Sequence, residues 1–312
     1  MGNYDQSKRR GIVVIKNFDE LIRAAAGFPR VKIAVAAAED LDIIAVASRC
    51  ADIADFIFIG GGKKIEGLFR EAGEKISGEI IDAGDHAASA ARAVELVKTG
   101  RAQNLMKGLL HTSVFLKAIL NKETGLNKGN LISQITVFEK ADGLQLLTDC
   151  AVNIKPELNE KKQIIENAAE LARALGIETP KAAVLAAVEV VNPNMPATLD
   201  AALLAAMSRR GQIKGCVVDG PLALDNALNI EAARRKGIDS LVAGSADILV
   251  APDIEAGNML GKALVFWAGK KAASAIAGTG TPVIMTSRTE TIENKILTVM
   301  LSSYLAGCHL AA

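Results

Sequence analysis

A lysine, a histidine and a hydroxyl group follow one another closely at the end of a predicted strand. The strand ends at Lys107-Gly108, and the pattern after His111 and Thr112 predicts a helix. Free N–H groups at a helix start, with a hydroxyl and a nearby ammonium group, can bind an anion such as phosphate. His111 taken alone is more often a structural histidine. The whole stretch therefore indicates an anion site at a strand-to-helix turn.

A second polar turn follows the apolar run 248–251, which predicts a short buried strand. Pro252 would end that strand because it has no backbone N–H to donate. Asp253 stands where a helix would begin, and Gly257-Asn258 is a place where the backbone could approach a ligand closely. An ordinary helix cap at Asp253 explains the same residues. The pattern leaves both interpretations open.

Six polar turns share one feature, because each follows the carboxyl end of a predicted strand. They are residues 107–112, 149–153, 192–194, 219–221, 253–258 and 287–288. Open α/β sheets bind ligands outside the carboxyl ends of their strands. We therefore expect these turns to converge at one edge and to border a cleft between two lobes.

Strands and helices alternate along the chain, which predicts an α/β fold with mostly parallel sheets flanked by helices. Half of the residues are apolar and only 4% are aromatic, as expected for strands buried on both faces. The length of 312 residues favours two domains. We expect a first lobe of residues 1–130 plus 286–312 and an inserted second lobe of residues 131–285.

The net charge, the cysteines and the first ten residues limit which partners and which cellular location we expect for this protein. The formal net charge is +1, so we expect no binding to nucleic acid or to a membrane surface. The cysteines have neither metal-ligand spacing nor a disulfide pattern, and we expect no metal site. The polar residues 1–10 do not form a signal peptide, which predicts a cytoplasmic protein. The cysteines are Cys50, Cys150, Cys216 and Cys308.

Five segments resemble, in the same order, motifs of the phosphate acetyltransferase and phosphate butyryltransferase family. The resemblance covers nearly the whole chain from about residue 30, and several motifs together are specific where one would be weak. Lys107 before Gly108 favours the butyryltransferase branch, where acetyltransferases usually have a small residue. The segments are Lys107-Gly108-x-x-His111-Thr112, Asp149-Cys-Ala-Val-Asn153, Gly244-Ser-Ala-Asp247, Pro252-Asp-Ile-Glu-Ala-Gly-Asn258 and Thr286-Ser-Arg288.

The resemblance implies reversible transfer of a short acyl group, butyryl ahead of acetyl, between coenzyme A and orthophosphate. It implies direct attack in a ternary complex, without a metal, a further cofactor or a covalent intermediate. The implied architecture has two lobes like those of isocitrate and isopropylmalate dehydrogenases, with the cleft between them. The exposed faces of such lobes and the apolar carboxyl-terminal helix suggest a homodimer or larger assembly.

The resemblance implies Ser287 and Arg288 as catalytic residues, and Glu290 is added to them as the nearest carboxylate. Ser287 is similar to the family serine that contacts the thiol of coenzyme A. Arg288 suits phosphate because its guanidinium is always charged and can form two parallel hydrogen bonds. Cys150 is expected near the site without acting as a nucleophile. The residues expected to bind phosphate or acyl-CoA, or to hold the cleft's geometry, are Lys107, Gly108, His111, Thr112, Cys150, Asp253, Gly257 and Asn258.

Two departures from the acetyltransferase pattern leave the general base open. Asn294 stands where those enzymes have an aspartate that is the proposed base. Glu290 is the nearest substitute, although a carboxylate in the first turn of a helix also suits the helix dipole. Lys117 replaces an arginine on the helix after His111-Thr112. The alternatives are a phosphate acetyltransferase, a dehydrogenase of similar architecture and a non-catalytic acyl-CoA-binding relative.

Overall fold

The structure is a computed structural model that describes residues 14–76, 78–127 and 129–311. The segment 1–13, which includes the polar start of the chain, lies outside the described residues. The strands are β1 (Val31–Ala36), β2 (Ala54–Gly60), β3 (Gly78–Asp82), β4 (Asn104–Lys107), β5 (Ser133–Lys140), β6 (Gly143–Thr148), β7 (Lys181–Leu185), β8 (Val217–Leu222), β9 (Ile248–Val250), β10 (Ala272–Ala277) and β11 (Val283–Ile284).

The helices surround these strands, and several begin at a side-chain cap. Asn17, Asp40, Asp85 and Asp253 each accept a backbone N–H of the first turn of their helix, as capping residues do. The helices are α1 (Phe18–Ala26), α2 (Leu41–Arg49), α3 (Gly62–Glu71), α4 (His86–Lys98), α5 (Thr112–Ile119), α6 (Leu158–Ala174), α7 (Pro196–Arg209), α8 (Leu224–Leu228), α9 (Ile230–Arg235), α10 (Ile254–Lys262) and α11 (Ile292–Ala311). A π-helical turn, Ala263–Trp267, continues α10.

All eleven strands join in one sheet of order β3-β2-β1-β4-β11-β10-β5-β6-β9-β7-β8. The first five are parallel to one another, and β6, β9, β7 and β8 are also parallel to one another. Between these groups, β10 is antiparallel to both β11 and β5, and β5 is antiparallel to β6. The predicted α/β fold with a large, mostly parallel sheet is confirmed.

The expectation that all six polar turns meet at one edge is wrong. Three reversals of direction separate β11 from β6, so the strands of the second group run opposite to those of the first. The carboxyl ends of β7, β8 and β9 therefore lie at the other edge of the sheet from those of β1, β4 and β11. Any common site must lie over the middle strands.

Apolar side chains fill both faces of the sheet, as the continuous apolar runs predict. On β1, Ile33 and Val35 pack into one cluster with residues of α1, α2 and α11, whereas Ala34 and Ala36 belong to a cluster with α4 and α5. A third cluster joins β6 and β9 to α9 and α10. The helices thereby fix the positions of the loops that follow the strands.

The continuous sheet does not itself divide the chain, and the two-lobe assignment of residues 1–130 plus 286–312 and 131–285 stays a prediction. Strand β11 (Val283–Ile284) pairs with β4, on the side of the first predicted lobe. Within the described residues, none of the helices has the length and hydropathy required to cross a membrane.

Candidate active site

A cavity of about 260 Å³ lies over β5 and β10, between α5 on one side and α10 on the other. Five of the residues proposed from the sequence line it: Thr112, Cys150, Asn258, Ser287 and Glu290. The first four come from four of the six polar turns, and Glu290 follows the last of these turns. Residues of the turns 192–194 and 219–221 are not among those that line it, because β7 and β8 lie at the far end of the sheet from β5 and β10.

The cavity borders the first half of β10, beside which β11 is only two residues long. The first half of β10 consequently has no neighbouring strand on that side, and its N–H groups need other acceptors. Asn294 Oδ1 accepts the Ala272 N–H at 3.1 Å, and Thr298 Oγ1 accepts the Ser274 N–H at 3.1 Å. Asn294 thus completes the edge of β10, in addition to lining the cavity.

A tight turn between β11 and α11 brings Ser287 and Glu290 together. The Ser287 N–H donates to Glu290 Oε1 at 2.9 Å, and the Glu290 N–H donates to the Ser287 carbonyl oxygen at 3.3 Å. Ser287 Oγ is 3.1 Å from Thr289 Oγ1. The turn therefore presents a hydroxyl and a carboxylate, in fixed relation, to the same cavity.

Burial raises the pKa of the Glu290 carboxyl group, although the Ser287 N–H and the charges of nearby lysines oppose the rise. A carboxylate whose pKa is raised is a better proton acceptor near neutral pH than an ordinary surface glutamate. Glu290 therefore has the environment of a general base as well as the hydrogen bond of a turn-forming residue.

Two cationic side chains, Lys107 and Arg288, lie close to each other, and Lys107 also lies near the Glu290 carboxylate. Lys107 is buried, and its Nζ donates to the carbonyl oxygens of Gly108 at 3.3 Å and Leu110 at 3.2 Å. Burial lowers the pKa of Lys107, and the positive charge of exposed Arg288 lowers it further. Two like charges that raise each other's free energy form a site for an anion, which would relieve the repulsion.

Helix α5 begins beside the cavity, where the sequence predicts an anion site. His111 is the residue before its first turn, is exposed and makes no side-chain capping bond. Thr112, the first helical residue, lines the cavity. The start of α5 therefore brings backbone N–H groups and the Thr112 hydroxyl to the cavity, whereas the His111 imidazole has no observed partner among the described residues.

The loop after β6 is held by the buried carboxylate of Asp149. It accepts the N–H groups of Ala151, Val152 and Asn153, at 2.9 to 3.1 Å. Asn258 Nδ2 donates to the Cys150 carbonyl oxygen at 2.9 Å, which ties α10 to this loop. Burial raises the pKa of the Cys150 thiol to about 12, so the thiol stays protonated and is a poor nucleophile.

Gly108, Gly257 and Asp253 have packing or capping roles in the structure and are not among the residues that line the cavity. A Cβ atom on Gly108 would lie 2.2 Å from the Ala37 carbonyl oxygen, and one on Gly257 would lie 2.1 Å from the Asp149 carbonyl oxygen. Asp253 Oδ1 accepts the Ala256 N–H at 2.9 Å. These residues position the loops around the cavity.

We expect Gly257→Ala to lower the free energy of unfolding by about 1–3 kcal/mol or more, because the added methyl group forces α10 away from the β6 loop. Gly261→Ala in the same helix is the matched control, since its Cβ would meet only ordinary contacts, at 3.7 Å or more. That control should be neutral or stabilising by up to about 1 kcal/mol. Urea unfolding of both variants measures the difference, and equal stabilities would contradict the close approach.

The motifs do not identify several residues that complete the site. Gln134, Thr136, Ser274 and Thr298 line the cavity from β5, β10 and α11, and Lys262 lines it from α10. Buried Lys295 forms an ion pair with Asp42 and lies near both Lys107 and Glu290. The i, i+4 spacing of Asn294 and Thr298 was the available sequence signal, since it places both on one face of a helix.

Comparisons with known proteins agree with the motifs. The family model described as "Phosphate acetyl/butaryl transferase" matches residues 79–303. The chain is 45% identical over 299 residues to a phosphate butyryltransferase of Clostridium acetobutylicum, covering 94% of this chain and 99% of that protein. It is 42% identical over 293 residues to a phosphate acetyltransferase of Thermotoga maritima, covering 92% of this chain and 99% of that protein.

Among solved structures, a branched-chain phosphotransacylase from Enterococcus faecalis V583 superposes with a TM-score of 0.79 at 32% identity, covering 88% of this chain and 99% of that one. The family resemblance drawn from the motifs is thereby confirmed on sequence and on structure. The chain belongs to the phosphate acetyl/butyryl transferase family.

Proposed function

We propose that this protein transfers a short acyl group between coenzyme A and orthophosphate, within a complex that holds both substrates. In one direction a phosphate oxygen attacks the thioester carbonyl carbon, the C–S bond breaks, and the phosphate proton passes to the departing thiolate. The products are an acyl phosphate and free coenzyme A. The observation that carries the proposal is the Ser287–Glu290 turn, which offers a hydroxyl, a guanidinium and a carboxylate beside buried Lys107.

Arg288 and Lys107 are the proposed phosphate ligands, with the start of α5 at Thr112 as a third source of donors. A dianion between Arg288 and Lys107 would relieve the repulsion that lowers the pKa of Lys107. The guanidinium can hold two phosphate oxygens at once. Fixed positive charge near the carbonyl also stabilises the negative charge that develops during transfer.

Glu290 is the proposed general base and Ser287 the proposed contact of the coenzyme A thiol. In the direction of acyl-CoA formation, the thiol must lose a proton before it can attack the acyl phosphate. The turn holds the Glu290 carboxylate next to Ser287, and burial raises the pKa of that carboxylate. The protonated Cys150 thiol favours direct attack over a covalent acyl-cysteine intermediate.

Butyryl is the proposed acyl group, and acetyl is the alternative. The butyryl proposal rests on the Lys107-Gly108 motif and on the somewhat higher identity to the butyryltransferase from Clostridium acetobutylicum, 45% against 42% for the acetyltransferase from Thermotoga maritima. We also propose a homodimer or larger assembly. Met259, Phe266 and Trp267 are 65%, 59% and 90% exposed on one helical segment, and such apolar patches are typical of interfaces.

Phosphate-dependent release of coenzyme A, measured with a thiol reagent, tests the proposal. We expect turnover of butyryl-CoA and isobutyryl-CoA above that of acetyl-CoA, with the chelator EDTA present because no metal takes part in the proposed reaction. Omitting phosphate is the control and should abolish the release. Preference for acetyl-CoA would favour the alternative. Absence of turnover on all three, with binding of acyl-CoA retained, would support a non-catalytic relative instead.

A further inference from the structure

The floor of the cavity carries polar side chains that the transfer of an acyl group with an unsubstituted alkyl chain does not use. Thr136 of β5 and Ser274 of β10 are cross-strand neighbours, and Gln134 lies one pair further along the same face. All three line the cavity. Gln134 is 8% exposed and Ser274 is 5% exposed, so two polar side chains are more than nine-tenths buried at this floor.

The Ser274 hydroxyl and the Gln134 carboxamide have no observed partners among the described residues. Ser274 Oγ is fully buried, whereas the Gln134 carboxamide is not among the fully buried polar groups and borders the cavity. The Ser274 N–H already donates to Thr298, so the hydroxyl is not needed to hold the strand. Buried polar groups are nearly always paired, because an unpaired one is costly. A ligand group that forms a hydrogen bond with the floor would therefore be bound more favourably than an apolar one.

The chemistry of the floor narrows what that group can be. The charged residues that line the cavity are Lys262 and Glu290, which belong to α10 and to the turn before α11 rather than to the floor. A charged acyl substituent would be buried there without a counter-charge, which is unfavourable. A hydroxyl both donates and accepts, and so do the hydroxyl and carboxamide groups of Ser274 and Gln134.

We propose that the cavity prefers a short acyl group that carries a hydroxyl on its carbon chain over an alkyl group of the same size. This rests on the proposed function, because Ser287 and Glu290, where the transfer is proposed, line the same cavity as Ser274 and Gln134. The bonds made and broken in the transfer are unchanged, and the hydroxyl takes no part in them. Ser274 and Gln134 are the specificity-determining residues.

The test compares kcat/KM, at saturating phosphate, for butyryl-CoA, 3-methylbutyryl-CoA and both enantiomers of 3-hydroxybutyryl-CoA. A methyl group nearly matches a hydroxyl in size, so 3-methylbutyryl-CoA is the isosteric control. We expect the better enantiomer to exceed the control by about tenfold or more. Turnover of butyryl-CoA without this advantage would overturn the inference and leave the proposed function intact. Absence of turnover on all four acyl-CoA substrates would overturn both the inference and the proposed function.

Two variants assign the preference to the floor. Ser274→Ala and Gln134→Leu should each reduce the ratio of hydroxy- to methyl-substrate by about tenfold. Ser302→Ala is the matched control, because Ser302 is also buried with an unpartnered hydroxyl but is not among the residues that line the cavity. Its ratio should equal that of the unaltered protein. An unchanged ratio in both floor variants would overturn the assignment.

Discussion

Replacing Glu290 with glutamine should lower kcat for the attack of coenzyme A on an acyl phosphate by about 10²- to 10⁴-fold, as expected when a general base is lost. Glutamine keeps a side-chain oxygen that can accept the Ser287 N–H, so the turn that Glu290 closes is preserved. The loss then reports on proton transfer rather than on the shape of the site. Glu293→Gln is the control. Glu293 lies three residues after Glu290, in the first turn of α11, but its side chain is exposed.

The pH dependence of this variant provides a second readout. Only the ionised carboxylate can accept the thiol proton, and burial raises the pKa of Glu290. The acid limb of the pH profile of kcat/KM should therefore lie at a higher pH than an ordinary glutamate would give, and should disappear in Glu290→Gln. If kcat of Glu290→Gln stays within about threefold of that of the unaltered protein and the acid limb of the pH profile is retained, the general base is another group.

Most strands of the structure could be predicted from the sequence because their apolar runs end at clear turn signals. The run 55–60, for instance, becomes most of β2, and Val31–Ala36 becomes β1. Strand β10 was missed. Its residues, Ala272–Ala277, are small and have low intrinsic preference for strands. Pairing with β5 and β11 makes them a strand, and that pairing joins segments far apart in the chain.

The missed strand also accounts for the wrong expectation about the site. Without β10, the sequence predicts one pair of adjacent strands around Asp142-Gly143 and elsewhere an alternation of strands and helices. That alternation led to the expectation of parallel strands and one functional edge. The antiparallel β10 and β5 reverse the direction of the sheet, and the cavity forms over them. Ser287, Cys150 and Asn258 were predicted because motifs mark them, and Glu290 because it is the nearest carboxylate to the missing acid; all four line the cavity.

Side chains that act only through tertiary contacts could not be found in this way. Asn294 shows the difference most clearly, since its position suggested only a missing acid. The structure gives its carboxamide oxygen a function, because it accepts the Ala272 N–H at the open edge of β10. An aspartate could accept the same N–H, so the departure from the acetyltransferase pattern does not require a change in the fold.

Replacing Arg288 with glutamine should raise KM for phosphate and lower kcat, with a combined loss in kcat/KM of about 10²- to 10³-fold. The KM for acyl-CoA should change much less, because Arg288 is proposed to bind the phosphate. Arg288→Lys should recover only part of the loss, since an ammonium group retains the charge but lacks the planar fork that binds two oxygens. Initial rates over a matrix of both substrate concentrations separate the two constants.

The interaction between Arg288 and Lys107 makes this prediction specific. Lys107 is buried, and the Arg288 charge lowers its pKa, so removing Arg288 should raise that pKa toward the usual lysine value. Lys107 alone would then remain to bind the dianion, which explains a large but incomplete loss. Arg92→Gln is the control, because Arg92 forms a surface ion pair with Glu95 on α4. A loss confined to the KM for acyl-CoA would place Arg288 on the coenzyme A side of the reaction and contradict its proposed role.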